Sequence, residues 1–487
     1  MMHSLPSSFD RRAKSGFGLR FFSLRTLAFI GFSLIGLQTP LLAARHYIRA
    51  GAAGTNDGSS WTNAWPTFAA ATFVRGDTYF VAGGTYNESR YINVALNGAL
   101  WIYIKKANDA DNLGETGYSS SYATTVATVQ SFDFDKGYIS IDGVTGSGTS
   151  GHGFHILNPS VLDTGHAILL ENGAGPFSVS HCNIEGSGFA VGSGGTSGIY
   201  YANFTNKKGI YVGYCWIHEV TTNGCIFTQL VGTSFSDYGL LFENNVVSET
   251  GGCTDVDKHG QGLQLGQQTE MAFLIFRNNV FRNILGSGMI VFLSSGSGSN
   301  HHDIQIYNNL FYITDLSTYR VISPGVIWSE SDRGIYTNVH LDNMVIANNT
   351  FYGLGSTTAN SVSGSVILQS PTANNTLVNN LWENCRMSSP HVGFATESNN
   401  AYYQNSLNVP TGTLKQVNGS ATTMVNASAF DLHVKTGGYA IGKGKNLPGL
   451  FATDFEGKVR GGVWDIGAYQ LATTSDAPPT NAQVIAK

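Results

Sequence analysis

The feature that most restricts how this chain can fold is an internal repeat of roughly thirty residues. Each copy reads as an apolar residue, two variable residues, Asn or Cys, one variable residue and a second apolar residue. The Asn or Cys positions, spaced 33, 30, 34, 30, 40 and 31 residues apart, are Cys182, Cys215, Asn245, Asn279, Asn309, Asn349 and Asn380. A unit this short cannot bury an apolar face alone, so the copies are expected to stack.

The repeated motif predicts a strand, a corner at the Asn and a second short strand. Asn tolerates the left-handed backbone conformation that such corners often require. Stacking in register places the Asn side chains in one column, where their amides can bond along the stack. The second apolar residue of each copy is expected to form an interior column of Ile184, Ile217, Val247, Phe281, Phe311, Phe351 and Trp382.

A further strand is expected in each coil, because a Gly-rich turn and another apolar run follow the motif, as at 262–265 and 288–291. Three short strands and three turns per coil predict an all-β fold, a single-stranded right-handed parallel β-helix. Composition agrees with this prediction. Gly is 59 of 487 residues and aromatic residues are 12%, whereas a disordered chain has few aromatic residues and high charge.

The β-helix is expected to span residues 45–429. Its N-terminal end needs a cover, since an open end is an unpaired edge. Residues 66–75, with Pro66 in the first turn, predict a short N-terminal capping helix. Residues 430–470 break the period and are expected to close the stack, and residues 471–487 are expected to form a flexible polar tail.

The first 44 residues predict a signal peptide. Five basic residues precede an almost wholly apolar run at 26–37, and Ala43 and Ala44 supply a small-residue cleavage site. The run is too short for a membrane span, which needs about 20 apolar residues. The protein is therefore expected to be secreted, periplasmic or at the cell surface, with an uncleaved anchor as the alternative. No stable membrane insertion is expected after cleavage.

Charge and cysteine content exclude several classes of function. Cleavage after residue 44 removes five of the 27 basic and one of the 32 acidic residues, which leaves a net charge of −9. This balance argues against a nucleic-acid partner, which needs a basic surface. The five cysteines are an odd number without CxxC spacing, so buried structural thiols are expected. A monomer is expected.

Three segments carry a resemblance to known families. Residues 46–65, HYIRAGAAGTNDGSSWTNAW, and 75–86, RGDTYFVAGGTY, resemble the opening of secreted right-handed β-helix proteins of the pectin-lyase-like superfamily. Residues 464–470, WDIGAYQ, are similar to the closing motif of bacterial choice-of-anchor Q proteins, which usually have Glu in place of Gln470. The resemblance implies a carbohydrate-active enzyme, most often a polysaccharide lyase, and also hydrolases and epimerases.

The densest polar cluster of the repeat region is Asp255, Asp257, Lys258 and His259. A lyase that cleaves at a uronic acid must neutralise the carboxylate and remove the neighbouring proton. A divalent cation such as calcium, held by Asp255 and Asp257, can do the first. Lys258 or His259 can do the second as a general base. The alternative is a solvated, charged turn.

Supporting roles are predicted for residues elsewhere in the stack. Arg277 is expected to neutralise substrate charge during catalysis, and Gln264, Glu330 and Arg333 are expected to bind substrate. The lesser candidates are His218, Glu219, Glu243 and Glu270.

The predicted function is therefore action on a polysaccharide, with a lyase favoured. Two alternatives stay open. One is a non-catalytic carbohydrate-binding or surface structural protein, in which the stack is a rigid spacer. The other is a glycoside hydrolase with paired carboxylates, either Asp255 with Asp257 or Glu330 with Asp332.

Overall fold

The computed structural model describes most of the chain beyond residue 42. The described ranges are 43–158, 165–171, 175–187, 196–202, 208–251, 260–267, 270–284, 286, 288–294, 300–314, 335–354, 366–370, 374–385, 394–403, 415–418 and 422–471. Predictions that concern residues 1–42, 252–259, 315–334 and 472–487 lie outside these ranges.

The described chain is a parallel β-helix, as the repeat predicts. Each coil crosses three faces, numbered here in chain order; one coil consists of His166–Glu171 on face 1, Phe177–Ser180 on face 2 and Cys182–Glu185 on face 3. On every face the strands of successive coils pair in parallel. Backbone N–H and C=O groups are thereby satisfied between coils, which is why a chain with short strands can form a stable stack.

The strands divide among the faces as follows. Face 1 contains Ser89–Ile92, Ser131–Phe134, His166–Glu171, Ser197–Ala202, Cys225–Phe227, Leu263–Gln267, Ile290–Ser294, Val366–Ser370 and the start of Ile335–Ala347. Face 2 contains Arg45–Ile48, Thr78–Val81, Ile102–Lys106, Ile139–Asp142, Phe177–Ser180, Ile210–Gly213, Leu240–Glu243, Met271–Arg277, Asn300–Tyr307, Asn375–Val378, Phe394–Ser398 and the end of Ile335–Ala347. Face 3 contains Gly84–Thr85, Ala127–Val129, Phe154–Leu157, Cys182–Glu185, Trp216–Val220, Val246–Thr250, Val280–Ile284, Leu310–Tyr312, Thr350–Tyr352, Leu381–Glu383, Asn400–Tyr403 and Lys415–Asn418.

Other elements are few and short. The α-helices of the described ranges are Asp109–Asn112 and Ser121–Thr124, and a 3₁₀ turn spans Ala427–Ala429. Met424–Asn426 and Asp431–Val434 form an antiparallel pair. In the described ranges, no helix combines the length and the apolar character needed to cross a bilayer.

The predicted asparagine column is confirmed. The Nδ2 of Asn245 donates to Asn279 Oδ1 at 3.1 Å, and the same bond joins Asn279 to Asn309 at 3.0 Å. The series continues through Asn349 and Asn380 to Asn400, with donor–acceptor distances of 3.0, 3.0 and 3.2 Å. Each amide therefore links neighbouring coils inside the stack, where water cannot compete for the hydrogen bonds.

The corner geometry differs from the prediction in one respect. The left-handed residue is the one before the column: Asn278 and Asn308 have φ of 55° and 53°, and His181 and Tyr214 occupy the same position with φ of 55° and 56°. The corner therefore uses two residues, the first to turn the backbone and the second to bond along the stack. The sequence prediction assigned both tasks to the second residue.

The predicted apolar column is also confirmed. The rings of Phe281, Phe311 and Phe351 are nearly parallel, with centroids 5.1 and 4.7 Å apart. Trp382 continues the stack 5.0 Å from Phe351. The thiols of Cys182 and Cys215 are buried in the asparagine column, as predicted, and Cys225 and Cys385 are buried elsewhere.

The prediction of a capping helix at 66–75 is wrong. This segment consists of bends and turns, and its Phe68 packs edge-on against Phe132 of the first coils. The N–H groups of Phe68 and Ala69 donate to the Glu88 carboxylate at 2.6 and 3.0 Å. The β-branched and aromatic residues of the segment have weak helix propensity, so burial of Phe68 decides its conformation.

Glu88→Gln tests how firmly this carboxylate anchors the segment. Loss of the charge from two hydrogen bonds is expected to lower the free energy of unfolding by about 1 kcal/mol. Glu171→Gln, at an exposed residue, is the control. Urea denaturation of both variants measures the difference, and equal midpoints would contradict the assignment.

The segment 430–470 packs along the side of the stack, at the corner between faces 2 and 3. The amides of Asn308, Asn348 and Asn379 donate to the backbone carbonyls of Thr453, Asp465 and Lys445 at 2.8, 3.0 and 2.7 Å. The left-handed corner residues thus hold this segment through their side chains.

This segment also covers outward-facing tyrosines of the stack. Tyr307 stacks on Phe451 with centroids 4.6 Å apart, and Tyr312 lies 5.9 Å from Phe430. Both tyrosines are only 4% exposed. Their role is lateral packing.

Candidate functional site

The structure describes two of the predicted site residues, Gln264 and Arg277. Gln264 lies on face 1, is 3% exposed, and accepts a hydrogen bond from Asn223 Nδ2 at 3.0 Å. Arg277 ends a face 2 strand at the corner with face 3. The two side chains therefore sit on different faces. The remaining predicted site residues, Asp255, Asp257, Lys258, His259, Glu330 and Arg333, lie outside the described ranges.

Arg277 lines a groove of about 1020 Å³ over the corner between faces 2 and 3. Its Nε donates to Glu243 Oε2 at 2.6 Å and its Nη1 donates to Tyr307 Oη at 3.2 Å. His181, Tyr214 and Asn278 also line this space, which we call the corner groove. Arg277 is therefore already paired with a carboxylate.

A denser set of acid–base groups lies on the outer side of face 3. Glu185, His218, Ser248 and Arg282 are register partners in four successive coils. With neighbouring residues they form what we call the face 3 cluster: His155, Glu185, His218, Glu219, Glu249 and Arg282.

The imidazoles of the face 3 cluster are held by hydrogen bonds. His155 Nε2 and Glu185 Oε2 are 2.8 Å apart. His218 Nε2 lies 2.8 Å from Asn183 Oδ1, and the His218 ring stacks on Trp216 with centroids 3.6 Å apart. Because Asn183 Oδ1 can only accept, Nε2 of His218 carries the proton and Nδ1 presents a lone pair. The nearest carboxylate oxygen to Nδ1, Glu219 Oε1, is 3.8 Å away.

Two carboxylates of the cluster occupy an unusual backbone position. Glu219 and Glu249 stand at the same corner position of adjacent coils, with left-handed φ of 51° and 48°. The next coil has Asn283 there, the residue type that this conformation favours. A Glu at such a position costs conformational energy, and such costs concentrate at functional sites.

The second carboxylate is held in place by its neighbours. Arg282 Nε lies 3.4 Å from Glu249 Oε1, and Asn283 Nδ2 donates to the same oxygen at 3.0 Å. Glu249 therefore presents its other carboxylate oxygen in a defined orientation.

The pKa values of Glu219 and His218 are shifted in opposite directions. Burial, and then the charges of Glu185 and Glu249, raise the pKa of Glu219 above its usual value. Burial, with smaller contributions from His155, Arg282 and His152, lowers the pKa of His218 to about 3. At neutral pH the cluster therefore contains a carboxyl that retains its proton more readily than usual and an imidazole that stays neutral.

The protonation state of His218 is directly measurable. Its ring is expected to remain neutral from about pH 5 to 8, where an ordinary His would titrate. Because the folded-state pKa is depressed, the stability that His218 contributes above its unfolded pKa is lost as the pH falls towards the folded value. Nitrogen chemical shifts across a pH titration test this, and a midpoint near 6.5 would contradict it.

Sequence reasoning ranked two members of the cluster, His218 and Glu219, as lesser candidates, and missed the other four. A signal was available in the repeat alignment. The residue three after each Asn or Cys gives Glu185, His218, Ser248 and Arg282, and the residue four after gives Glu219 and Glu249. Among the described residues, no group of three or more His, Cys, Asp or Glu has an arrangement suited to a metal ion.

Comparisons with known proteins add the following. No family model matches the chain, and no curated protein matches its sequence. Among solved structures, it is similar to pectate lyase Pel9A, with 14% identity, a TM-score of 0.46, and coverage of 88% of this chain and 97% of that one. It is also similar to XylC in complex with xylose, with 10% identity, a TM-score of 0.44, and coverage of 88% and 98%. Likeness at this level does not bear on the chemistry of the chain.

Proposed function

We propose that this protein acts on a polysaccharide and cleaves it as a glycoside hydrolase at the face 3 cluster. The observation that carries the proposal is the placement of Glu219 and Glu249 at one position of adjacent coils, about 4.8 Å apart along the stack. Glycosidic cleavage needs two carboxyl groups, one protonated and one ionised, on either side of the scissile bond.

The two carboxyl groups take different roles. Glu219, whose pKa is raised, donates a proton to the leaving oxygen. Glu249, held by Arg282 and Asn283, acts as the ionised partner that attacks the sugar or activates water. Neutral His218 keeps positive charge away from Glu219, which preserves the raised pKa of that carboxyl.

Charge pairing favours a hydrolase over a lyase at this site. A lyase needs a cation for the carboxylate of a uronic acid. Arg282 is paired with Glu249, and at the corner groove Arg277 is paired with Glu243. With both arginines engaged, a neutral glycan suits the described residues better than a polyuronate.

The lyase stays a second candidate because of the position of the residues that flank 252–259. A Cβ on Gly251 would lie 2.5 Å from Gly260 O, so Gly251 and Gly260 are in contact, and Gly251 is two residues beyond Glu249. In this alternative, Lys258 or His259 is the base, Asp255 and Asp257 bind a divalent cation such as calcium, and Gln264, Glu330 and Arg333 bind the substrate. Arg277 lies on another face, is paired with Glu243, and is left out of this alternative.

A panel of neutral and acidic polysaccharides separates the candidates, assayed with calcium and with a chelator. The hydrolase is expected to release reducing ends without new ultraviolet absorbance. New absorbance from an unsaturated product on polyuronates, lost on chelation, would establish the lyase instead. Binding without either signal would favour a non-catalytic carbohydrate-binding protein.

Export is part of the proposal. The basic and apolar segment before residue 44 is proposed to be a cleaved signal peptide, and the motif at 464–470 is proposed to relate the chain to the choice-of-anchor Q proteins. N-terminal sequencing of the protein from a secreting host tests the cleavage site.

A further inference from the structure

We propose that the corner groove is a second carbohydrate site, which binds a chain of neutral sugars apart from the face 3 cluster. This proposal concerns binding alone and does not depend on catalysis at face 3.

The corner groove has the shape of a site for an extended chain. Its floor follows one corner position through five successive coils, at His181, Tyr214, Asn244, Asn278 and Asn308, which span about 19 Å at the spacing of parallel strands. The turn 144–150 forms one end wall and the segment 451–457 forms the other. Because the segment 451–457 is tied to the corner by the bond from Asn308 Nδ2 to Thr453 O, the wall is part of the fold.

Two aromatic side chains on the floor are stacked on each other. His181 and Tyr214 occupy adjacent coils, with ring centroids 5.0 Å apart and planes inclined by only 6°. Because the two rings are stacked, each covers one face of the other, and the outer faces and edges of the pair are what remains for contact with a sugar. Both residues have left-handed backbone conformations.

The identity of these two residues is informative because the fold does not require it. At the same corner position, six later coils have Asn, the residue that suits a positive φ: Asn244, Asn278, Asn308, Asn348, Asn379 and Asn399. Tyr and His are less favourable there, so their presence where the groove is open points to a ligand.

The charges of the corner groove indicate a neutral ligand. His181 Nδ1 lies 3.0 Å from Asp142 Oδ1, and Arg277 is paired with Glu243. Glu456, at the far wall, lies 3.0 Å from His433 Nε2. Every charged side chain that lines the groove thus has an opposite partner, and recognition must rely on stacking and on uncharged hydrogen-bonding groups.

The side-chain oxygen of Asn278 is one such uncharged hydrogen-bond acceptor. The Oδ1 of Asn278 is buried in the groove floor and has no hydrogen-bond partner among the described residues. A buried acceptor without a partner is costly, and a sugar hydroxyl would satisfy it.

Calorimetry with neutral gluco-, manno- and xylo-hexasaccharides tests the proposal, with an oligogalacturonate as the acidic comparison. The full chain carries Glu219→Gln to prevent cleavage. Tyr214→Asn and His181→Asn place the residue of the later coils at each position, so both variants are expected to fold, which circular dichroism checks. Each variant is expected to raise the Kd for the neutral hexasaccharide at the corner groove by about tenfold.

Tyr103→Ala, at an aromatic residue that is 42% exposed elsewhere on the stack, is the control and should leave the isotherm unchanged. An isotherm unaffected by both corner variants would overturn the proposal. So would binding of the acidic oligomer in preference to every neutral one.

Discussion

Replacing Glu219 with Gln is expected to lower the rate of glycan hydrolysis by at least about 100-fold. Gln keeps the shape of the side chain but cannot donate a proton to the leaving oxygen, and general acid catalysis contributes on the order of 10² to 10⁴ in rate. The kcat of the purified variant on its best polysaccharide, compared with that of the parent, measures the loss. KM is expected to change little, because the substituted group acts in the transition state.

The pH dependence of the parent tests the same assignment. Glu219 must be protonated to act, so kcat is expected to fall as pH rises through its raised pKa. The stability that this raised pKa provides is present below the unfolded value and is lost as pH rises through the folded value. Glu219→Gln removes that loss, so the variant should gain stability relative to the parent as the pH rises above the unfolded pKa of about 4.3.

Glu270→Gln is the matched control for Glu219. Glu270 also lies beside an imidazole, with its Oε1 2.7 Å from His302 Nε2, but it is on face 2. Its substitution should leave kcat within about twofold of the parent. Equal losses in the two variants would show a general effect of removing charge, and full activity in Glu219→Gln would refute the assigned acid.

Asn309→Ala is expected to lower the free energy of unfolding by about 3–5 kcal/mol. The Asn309 Oδ1 accepts from both the backbone N and Nδ2 of Asn279, at 2.9 and 3.0 Å. Its Nδ2 donates to Phe276 O, Tyr307 O and Asn349 Oδ1, each at 3.0 Å. Removing the amide leaves several buried groups without partners, each at a cost of about 1–3 kcal/mol before relaxation.

Two further variants make this test specific. The Sγ of Cys215 donates to the carbonyl two residues earlier, Gly213 O at 3.3 Å, as the amide of Asn309 does to Tyr307 O. Asn309→Cys can keep that one bond, so its free energy of unfolding should lie between that of the parent and that of Asn309→Ala. Asn87→Ala, at an exposed residue, should change stability by less than about 0.5 kcal/mol. Guanidinium denaturation of the three variants gives the order, and a cost for Asn309→Ala no larger than for Asn87→Ala would contradict the role of the column.

The repeat predicted the column residues individually, because stacking in register brings the same motif position of every coil together. It predicted Asn245 beside Asn279 and Phe311 beside Phe351, and both contacts are present. It failed at residues 66–75, where burial of Phe68 and hydrogen bonds to Glu88 outweigh the local signal for a helix.

The candidate site was less accessible to sequence reasoning. A search for charged residues close together along the chain selects clusters such as Asp255 to His259. The face 3 cluster instead draws its members from residues about thirty positions apart, such as Glu185, His218 and Arg282. Only alignment by coil position brings them together, and exposure then decides which of them can meet a ligand.

By itself, the sequence determined that the chain coils with a period near thirty residues and which amides and rings occupy the interior columns. That follows because a parallel stack repeats the same contact at every coil. The tertiary structure decided what the outer surface does: which outward residues the segment 430–470 covers, which arginines are neutralised by Glu243 and Glu249, and where His181 and Tyr214 remain open. These outcomes depend on contacts between distant segments and on side-chain burial, which a local pattern does not encode.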